Sequence, residues 1–552
     1  MAKAKNIAFE NVDFHDLCNY AGTDGIVTLE IMKRIWPDVT RKPIYRYFFQ
    51  NGEVKDIVLP SIVEEMDTVK MPAHEFLTDM EVEGMPYDKE RAEIMGTAMR
   101  REIESLERRI HDFIDPGYNL DSDKDLTALL YTPQGFNLKS PFKTKKGGEA
   151  TSYEALEVLI GNYPEHEAWL KPLARRRKVA GIYRGFIETY REKYVRRDGK
   201  VHASYNLFGT SSHRISSNDP NMLNLPAWRS SKPYDLRSLY TVPRKMSPDG
   251  LNVINEIFAF ITMDFSSCEV KILAALCEDE GLIQACREGK DFHTYTFSTI
   301  SGIPYDDIRK VLKASEAALK ADPTLAKLHE EYSDQRQAYK ATTFGLIYGS
   351  SNEAIATGIG RPIDEVNKII EAYFTTFPKI KTFIENAHRM AIHNHYLVTP
   401  FGQRKQAAGT LPCFRKTAVY NASLRNAQNF LVQSTASTLG LLVFTEINKK
   451  LREMGGAVIC TVYDSWEGYV PISRLAEAVE MGFYYMNDWP QQQWSWLTFP
   501  IGADAEVGIN WGKSLQEVKR GVTQEQCLKA VEESRHLQEK YDQQMWDAAY
   551  AA

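Results

Sequence analysis

The stretch Phe258–Cys277 reads FAFITMDFSSCEVKILAALC and changes character at Asp264. The residues before Asp264 form a short apolar, β-prone run with the length of a buried strand. The residues after it are apolar at helical spacing, and Ser266 followed by Glu269 resembles a capping box that opens a helix. The pattern predicts a carboxylate at a strand-to-helix junction, which is either a solvated turn residue or a ligand for a divalent metal ion.

The composition is that of a globular protein. The 552 residues are 43% hydrophobic and 25% charged, which is enough for several substructures with sizeable cores. The formal net charge of −6 weakly opposes a nucleic-acid enzyme, because such proteins are often basic. Phosphate binding depends on where Lys and Arg are placed, however, so the total charge does not exclude one.

The seven cysteines form no CxxC pair, which indicates reduced thiols and not a disulfide framework or a zinc site. The apolar runs are shorter than the roughly 18 residues of a membrane span. Met1–Glu10 also lacks the apolar core of a signal peptide. We therefore expect a protein of a cytosol-like compartment with no membrane partner.

Hydrophobic periodicity predicts a largely helical chain with one clear β hairpin. The apolar runs AVICTV and EGYVPI are strand candidates separated by Tyr463–Trp466, so that Asp464 lies in an acidic turn. Residues 291–400 and the tail 518–552 are also mostly helical. The other predicted helices are Asp13–Ile35, Glu90–Phe113, Tyr153–Tyr163, His166–Tyr194 and residues 411–448.

Basic residues gather in two neighbouring segments. Arg175–Lys178 is an unbroken basic run, and Lys143, Lys145 and Lys146 lie in a polar loop. The run is either a solvated helix face or, together with the loop, a grip on phosphate groups.

Asp264 and Asp464 both lie at the rim of β structure, two hundred residues apart. If the strands that hold them are neighbours in one sheet, the two carboxylates converge. Two carboxylates that bridge two Mg²⁺ ions serve in-line phosphoryl or nucleotidyl transfer, because one ion lowers the pKa of the attacking hydroxyl and the other neutralises the departing phosphate oxygens. The pair is therefore a candidate two-metal site.

A second pattern occurs in RQAYKATTFGLIYG, residues 336–349. Arg336, Lys340, Phe344 and Tyr348 recur every four residues and, at about 100° per residue, lie along one stripe of a helix. Two cations followed by two aromatic rings suit a nucleoside triphosphate, with the cations on the phosphates and the rings on the base and sugar. The alternative is an amphipathic helix whose aromatics are core and whose cations are solvated.

Arg425, Asn429 and Gln433 also recur every four residues. Their side chains can hydrogen-bond to base edges or sugars, and the minor groove offers acceptors that all base pairs share. The stripe therefore predicts a surface that checks base-pair geometry without reading sequence, unless the three are ordinary surface polar residues.

Together these motifs resemble the family A, or bacterial polymerase I-like, DNA polymerases over residues from about 72 to 517. DFSSCEVKILAAL resembles motif A, RQAYKATTFGLIYG resembles the fingers helix of motif B, and VYDS resembles motif C. HRISSNDPNMLNLP resembles the palm segment before motif A, and GKDFH resembles the segment after it.

The resemblance implies an α+β, right-hand polymerase fold with an antiparallel palm sheet, helical fingers and a helical thumb. The segments that it implies are residues 1–71 as a remnant of an exonuclease domain with a linker, 72–199 as the thumb, 200–290 as the first part of the palm with motif A, 291–410 as the fingers with an insertion at about 311–332, 411–517 as the second part of the palm with motif C, and 518–552 as a C-terminal helical tail.

By the same resemblance Asp264 and Asp464 are the catalytic aspartates and, with the Phe265 carbonyl, hold two Mg²⁺ ions, for which Mn²⁺ can substitute. Lys340 is placed to protonate the departing pyrophosphate. The residues implied to bind the incoming dNTP are Arg336, Lys340, Phe344, Tyr348, Glu269 and His293. Those implied to follow the minor groove of primer-template DNA are Arg214, Asn221, Asn224, Arg425, Asn429 and Gln433.

The resemblance gives Glu269 a specific role: it packs under the sugar, hydrogen-bonds Tyr348 and excludes ribose. This role and the capping-box role are compatible with each other. Phe344, where some relatives have Tyr, implies discrimination against nucleotides that lack a 3′-hydroxyl.

Several residues depart from the family pattern. Motif C has Ser465 where Glu is usual, which removes one charge near the metals, and motif A has Ser267 and Lys271 where Gln and Arg are usual. The insertion at about 311–332 predicts added fingers helices, and the tail continues past the usual end of the family.

Tyr20 and Asp24 resemble the YxxxD motif of the family's 3′–5′ exonuclease, yet the nineteen residues before Tyr20 contain no DxE pair. We therefore expect a structural remnant, no proofreading by this chain, and a compact phage-type enzyme in the cytoplasm of a bacterium or an infected host cell. A separate exonuclease polypeptide that docks near residues 1–40 is a further hypothesis.

The pattern as a whole predicts a template-directed DNA polymerase that adds dNTPs to a primer 3′ end. The alternative is a non-catalytic DNA-binding replication scaffold descended from such an enzyme, which the altered motif C and the missing exonuclease motif would suit. A polymerase specialised for RNA templates or ribonucleotides is disfavoured by Glu269.

Overall fold

A computed structural model of the chain describes residues 14–144, 146–243, 245–246, 253–254 and 258–550. Lys145 and the side chains of Tyr20 and Asp24 lie outside the described residues, so what was predicted for them stays a prediction.

The chain divides into two compact units. Unit 1 consists of Met1–Glu75 and Glu269–Leu442, and unit 2 consists of Phe76–Cys268 and Val443–Ala552. These two units do not test the division into thumb, palm and fingers, which remains a prediction.

The helices alternate with a few short strands over the described ranges. Numbered in chain order, the α-helices are α1 (Phe14–Thr40), α2 (Ile62–Glu65), α3 (Met71–Glu83), α4 (Lys89–His111), α5 (Asp123–Tyr131), α6 (Tyr153–Asn162), α7 (Glu167–Ile182), α8 (Trp228–Ser231), α9 (Cys268–Cys277), α10 (Glu280–Arg287), α11 (Phe292–Ser301), α12 (Tyr305–Leu312), α13 (Glu316–Ala321), α14 (Pro323–Ile347), α15 (Asn352–Ile359), α16 (Ile363–Thr376), α17 (Pro378–Asn394), α18 (Ala418–Glu453), α19 (Leu475–Phe483), α20 (Trp489–Gln493) and α21 (Gln524–Tyr550).

The strands form one larger sheet in unit 2 and several two-stranded ribbons. In chain order they are β1 (Ile44–Phe48), β2 (Val54–Val58), β3 (Met85–Pro86), β4 (Lys200–Val201), β5 (Ser204–Asn206), β6 (Ser216–Asn218), β7 (Lys245–Met246), β8 (Val253–Ile254), β9 (Phe258–Phe265), β10 (Tyr396–Val398), β11 (Arg404–Gln406), β12 (Ala457–Val462), β13 (Ser465–Pro471), β14 (Ala503–Gly508) and β15 (Gln516–Val518).

β9 is the central strand of the larger sheet, whose antiparallel order is β12-β13-β9-β14-β15. Its residues are largely buried, and Asp264 is the exception near its end. α19 packs against one face of β9, where Gly482 permits a close approach because a Cβ at that position would collide with the Met263 sulfur. The sequence pattern predicted this strand, and the structure extends it by one residue past Asp264, to Phe265.

The predicted hairpin is confirmed and is tighter than expected. β12 and β13 are joined by Tyr463 and Asp464 alone, and Tyr463 adopts a left-handed φ of +59°. Ser465 and Trp466, which were expected in the turn, are the first residues of β13.

α9 begins at Cys268, so that Ser267, with a φ of +57°, directly precedes the helix. The Ser266 hydroxyl donates to Asp504 at 2.8 Å. The capping box of Ser266 and Glu269 stays a prediction.

The basic run on α7 forms ion pairs inside unit 2. Arg175 Nε donates to Glu102 of α4 at 2.7 Å, and Arg176 is buried between Glu107 and Asp121. A solvated face and a phosphate grip are therefore both wrong for Arg176, and the run ties α7 to α4. The remaining partners are Asp123 for Arg177 and the ring of Tyr153 for Lys178.

The predicted helices are confirmed with shifted ends. The predicted insertion at about 311–332 covers α13 and the first residues of α14, where Asp322 caps the helix by accepting from the backbone of Thr324 and Leu325. The predicted helix to Tyr194 keeps its α form only to Ile182 and continues as π-helical turns.

α18 is long and apolar enough to cross a membrane by length and composition, contrary to the expectation that every apolar run is too short. In the structure 83% of the most apolar 18-residue stretch of this helix is buried inside the protein. Such burial is typical of the core helix of a folded domain.

The C-terminal tail is an integral part of unit 2. α21 packs on α4 and on β14, and Ala549 is fully buried in the same hydrophobic cluster as Met95. The carboxylate of Asp542 accepts two hydrogen bonds from Arg91 of α4, at 2.9 and 2.8 Å. The tail therefore braces α4 against β14 of the sheet.

We expect Asp542→Ala to loosen this brace, because it leaves Arg91 without its bidentate partner. Hydrogen bonds to charged groups contribute about 1.5–3 kcal/mol, so amide hydrogen exchange in α21 should accelerate by about tenfold or more. The matched control is Asp547→Ala on the same helix, whose carboxylate accepts from Gln543 within α21. Equal exchange in the two variants would contradict the brace.

Candidate active site

Acidic side chains share one face of the central sheet. Residues that are directly paired in antiparallel strands point to the same face. Asp264 of β9 is paired with Ser465 of β13 on one side and with Asp504 of β14 on the other. The next row on this face consists of Thr262, Glu467 and Glu506.

The hairpin turn brings Asp464 next to Asp264. The Phe265 N–H donates to the Asp464 carbonyl oxygen at 3.0 Å. The carboxylates are close enough for the charge of Asp464 to raise the pKa of Asp264. The structure thus brings the two predicted aspartates together, with Asp264 on β9 and Asp464 in the turn before the neighbouring strand β13.

Asp264 is exposed within the cleft, yet its pKa is raised to about 7. The surrounding protein displaces water from its carboxylate, and repulsion from Asp464, Asp504 and Glu506 adds to this effect. Like charges so close together are unfavourable unless a proton or a cation compensates them. The face therefore carries uncompensated negative charge.

This charge fits a divalent cation. Among the described residues no three acidic, His or Cys side chains are close enough to cage a metal ion alone. Mg²⁺ commonly binds through one or two carboxylates while it keeps water or substrate phosphate as its other ligands. Asp264 and Asp464, with the Phe265 carbonyl, are the residues that would hold it.

The triphosphate stripe lies along α14 in unit 1. Arg336, Lys340 and Phe344 are half-buried and Tyr348 is 39% exposed, whereas the opposite side of the helix is buried. The rings of Phe344 and Tyr348 stack with centroids 5.8 Å apart. The alternative in which both aromatics belong to the core is therefore wrong for Tyr348.

Arg336 is held by the segment before α11. Its Nε and Nη2 atoms donate to the two carboxylate oxygens of Asp291 at 3.0 and 2.9 Å, and Nε also donates to Thr294 at 3.1 Å. Partial burial acts to raise the pKa of Asp291, but these bonds outweigh it and lower the pKa to about 2. The guanidinium is thus fixed in orientation before any ligand binds.

His293 is buried beside the same stripe, and its ring centroid lies 5.7 Å from that of Phe344. Burial lowers its pKa to about 4, although Asp291 acts in the opposite direction. The imidazole is therefore neutral at pH 7, and it can donate through one ring nitrogen without adding charge.

Glu269 is buried at the start of α9, and its carboxylate accepts a hydrogen bond of 2.7 Å from the Tyr348 hydroxyl. The bond that the resemblance implied is present. α14 ends at this point because Gly349 has a φ of +68°, and a Cβ there would lie 2.9 Å from the Arg425 Cα atom.

The remaining predicted DNA-binding residues fall into two separate groups. In unit 1, Arg425 is exposed, and Asn429 and Gln433 of α18 are half-buried. In unit 2, the Arg214 guanidinium lies 5.1 Å from the ring centroid of Tyr463, in the turn beside Asp464. The other two residues of that group are exposed, namely Asn221 and Asn224.

The sequence matches the family model described as DNA polymerase family A over residues 89–513. The chain belongs to DNA polymerase family A. DNA polymerase I of Chloroflexus aurantiacus is 25% identical to it over 511 residues, which are 92% of this chain and 48% of that protein. The thermostable DNA polymerase I of Thermus thermophilus is 27% identical over 452 residues, or 82% of this chain and 48% of that protein.

This family A chain spans about half the length of the curated relatives that it matches. A solved structure with the same fold is the POL domain of Pol1 from M. smegmatis in complex with DNA primer-template and dNTP, with a TM-score of 0.64 and 22% identity. The match covers 80% of this chain and 70% of that one. The α+β polymerase fold predicted from the motifs is therefore confirmed.

Sequence reasoning missed several acidic residues of this family A site. Asp504 and Glu506 alternate along ADAEVG, and Glu467 follows Ser465 at the same spacing. Alternation places such residues on one face of a strand, so the signal was available once the strands were assigned. Asp291 lies in the GKDFH segment, but of that segment only His293 was predicted to bind the dNTP.

The raised pKa values of Asp264 and Glu467 predict that the metal-free chain loses stability as the pH rises. Both carboxyl groups bind protons more tightly in the folded chain, so their contribution is complete below about pH 4. It is lost as the pH rises through about 7 for Asp264 and about 8 for Glu467.

We expect Asp264→Asn to flatten this decline in the free energy of unfolding between about pH 5 and 8, measured by denaturant unfolding in EDTA. Glu517→Gln, which removes an exposed carboxylate on β15, should keep the slope of the parent chain. An Asp264→Asn variant with the parent slope would show that the charges of the acidic face are already compensated.

Proposed function

We propose that this chain is a template-directed DNA polymerase that adds dNTPs to a primer 3′ end by two-metal nucleotidyl transfer. The observation that supports this most directly is the pairing of β9 with β13, which sets Asp264 beside Asp464. The M. smegmatis relative with this fold is described in complex with DNA primer-template and dNTP, which supports the same ligands for this chain.

In this proposal Asp264, Asp464 and the Phe265 carbonyl hold two Mg²⁺ ions. When bound, these ions lower the pKa of the primer hydroxyl and neutralise charge on the departing phosphate. The aspartates supply the negative charge that offsets the ions, and the sheet fixes their positions before substrate arrives.

The cationic end of α14 binds the triphosphate in this proposal. Asp291 occupies Nε and Nη2 of Arg336, which leaves the Nη1 edge for a phosphate oxygen. Neutral His293 donates a hydrogen bond, and Lys340 protonates the departing pyrophosphate. Phe344 and Tyr348, already stacked, present flat surfaces to the base and sugar.

Primer-template DNA is held, in this proposal, by donors to the minor groove. Long amide and guanidinium side chains can donate to the acceptors that all base pairs offer there. The residues assigned to this role are Arg214, Asn221, Asn224, Arg425, Asn429 and Gln433.

We further propose that this chain does not excise mispaired 3′ ends and that a separate exonuclease polypeptide docks near residues 1–40. The sequence of residues 1–71 contains no DxE pair. α1 exposes large apolar side chains, including those of Ile26, Leu29, Ile31 and Trp36, which favours a partner on this helix.

Primer extension with Mg²⁺ tests the polymerase. We expect the parent chain to extend a paired primer and to leave a mispaired 3′ end uncut. Asp464→Asn should slow extension at least about a thousandfold, because it removes several kcal/mol of charge stabilisation at the metals. Asp547→Asn, on the exposed side of α21, is the control. A parent chain that binds DNA without extending it would support the non-catalytic scaffold instead.

The choice of sugar tests Glu269. Replacing it in Glu269→Ala opens space under the sugar and releases the Tyr348 hydroxyl, so rNTP incorporation relative to dNTP should rise by about 10- to 200-fold. Glu371→Ala, an exposed position on α16, should keep the parent ratio. A ratio that does not change in Glu269→Ala would remove Glu269 from the sugar-binding site.

A further inference from the structure

Glu467 is a carboxylate buried in the acidic face with one oxygen unused. Its side chain is only 1% exposed. The Ser465 hydroxyl donates to its Oε1 atom at 2.7 Å, whereas its Oε2 atom is buried and has no hydrogen-bond partner in the described part of the chain. Such an atom is costly to bury, so natural structures rarely keep one without a reason.

The surroundings of Glu467 point to a cation. It lines a cleft of about 480 Å³ together with Asp264 and Glu506, and the cleft also holds Asp235 and the cations Arg229, Arg237 and Lys513. Burial raises the pKa of Glu467 to about 8, and the negative charge of Asp264 adds to the shift. Glu467 is therefore close enough to Asp264 to sense the charge of that predicted metal ligand.

A purely structural role would require a protein partner for the free oxygen, and Arg237 is the candidate because its charge acts on Glu467. Its positive charge does lower the pKa of Glu467. The Arg237 guanidinium nevertheless lies over the indole of Trp511, 4.5 Å from the ring centroid, and Glu467 Oε2 has no hydrogen bond with it. Arg237 thus moderates the charge without satisfying the carboxylate.

We propose that Glu467 is a positioning residue of the metal site, held by Ser465, which raises the affinity of the Asp264–Asp464 pair for hydrated divalent cations. The inference rests on the proposed two-metal function and adds an outer carboxylate to it. Ser465 fixes the Oε1 atom, so that the second oxygen keeps one orientation within the cleft. A cation at the Asp264–Asp464 pair favours the ionised form of Glu467, whose proton passes to solvent. The resulting buried charge acts on the cation over several ångströms with little screening.

The test is a titration of the full chain with Mn²⁺, in the absence of DNA and dNTP, in which free Mn²⁺ is followed by electron paramagnetic resonance. Glu467→Gln keeps an acceptor for Ser465 but removes the carboxyl group that can ionise when the cation binds. It should weaken Mn²⁺ binding by about tenfold, the usual effect of losing an outer partner of a metal site. Ser465→Ala should weaken binding in the same direction but less, and Glu517→Gln should match the parent chain.

Thermal unfolding of the same metal-free variants separates this role from a structural one. At about pH 9, above the pKa of about 8 of Glu467, Glu467→Gln should unfold at the same temperature as the parent chain or higher, because it removes a charge that is costly to bury. A less stable Glu467→Gln with unchanged Mn²⁺ affinity would overturn the proposal in favour of a structural pair with Arg237. If the parent chain and Glu467→Gln bind Mn²⁺ with equal affinity, the inference is overturned but the two-metal function is not. If the parent chain binds no Mn²⁺, the two-metal function is overturned as well.

Discussion

The pairing of β9 with its two neighbours is the constraint on which the site depends. Register sets Asp264 directly opposite Ser465 on one side and Asp504 on the other, and the tight turn before Ser465 presents Asp464 at the same edge. Backbone hydrogen bonds of the sheet therefore hold like charges together against their repulsion. The fold therefore positions the acidic side chains of the site before any cation or substrate binds.

Such an arrangement lowers the stability of the folded chain and strengthens its binding of cations. Carboxylates that raise one another's pKa destabilise the folded chain when they are ionised, and a cation that binds them relieves this strain. Strongly shifted groups in a cleft are typical of functional sites. Unit 1 uses the opposite arrangement: Asp291 already compensates Arg336 with two hydrogen bonds, which fixes the cation in place at little electrostatic cost.

The local pattern of the sequence was enough to predict individual helices and strands. It was not enough to predict which residues the pairing of strands and the packing of helices bring together. The change from strand to helix near Asp264 and the hairpin around Asp464 were both visible as periodicity. The register of β9 against β13 and β14 depends on tertiary packing, so Glu467 could be placed in a strand but not beside Asp264. Arg176 was misjudged for the same reason, since a basic run shows its charge but not the acidic partners that another helix provides. The first residue of α9, Cys268, could not be fixed from the sequence, because local signals place a helix end only to within one or two residues.

A double-mutant cycle on Mn²⁺ affinity tests most directly whether Asp264 and Asp464 form one site. The free energy of Mn²⁺ binding would be measured for the parent chain, for Asp264→Asn, for Asp464→Asn and for the double variant. Residues that hold the same ions couple strongly, so we predict that the double variant loses little more affinity than either single variant. Fully additive losses would mean that the two aspartates act independently and would contradict the shared site.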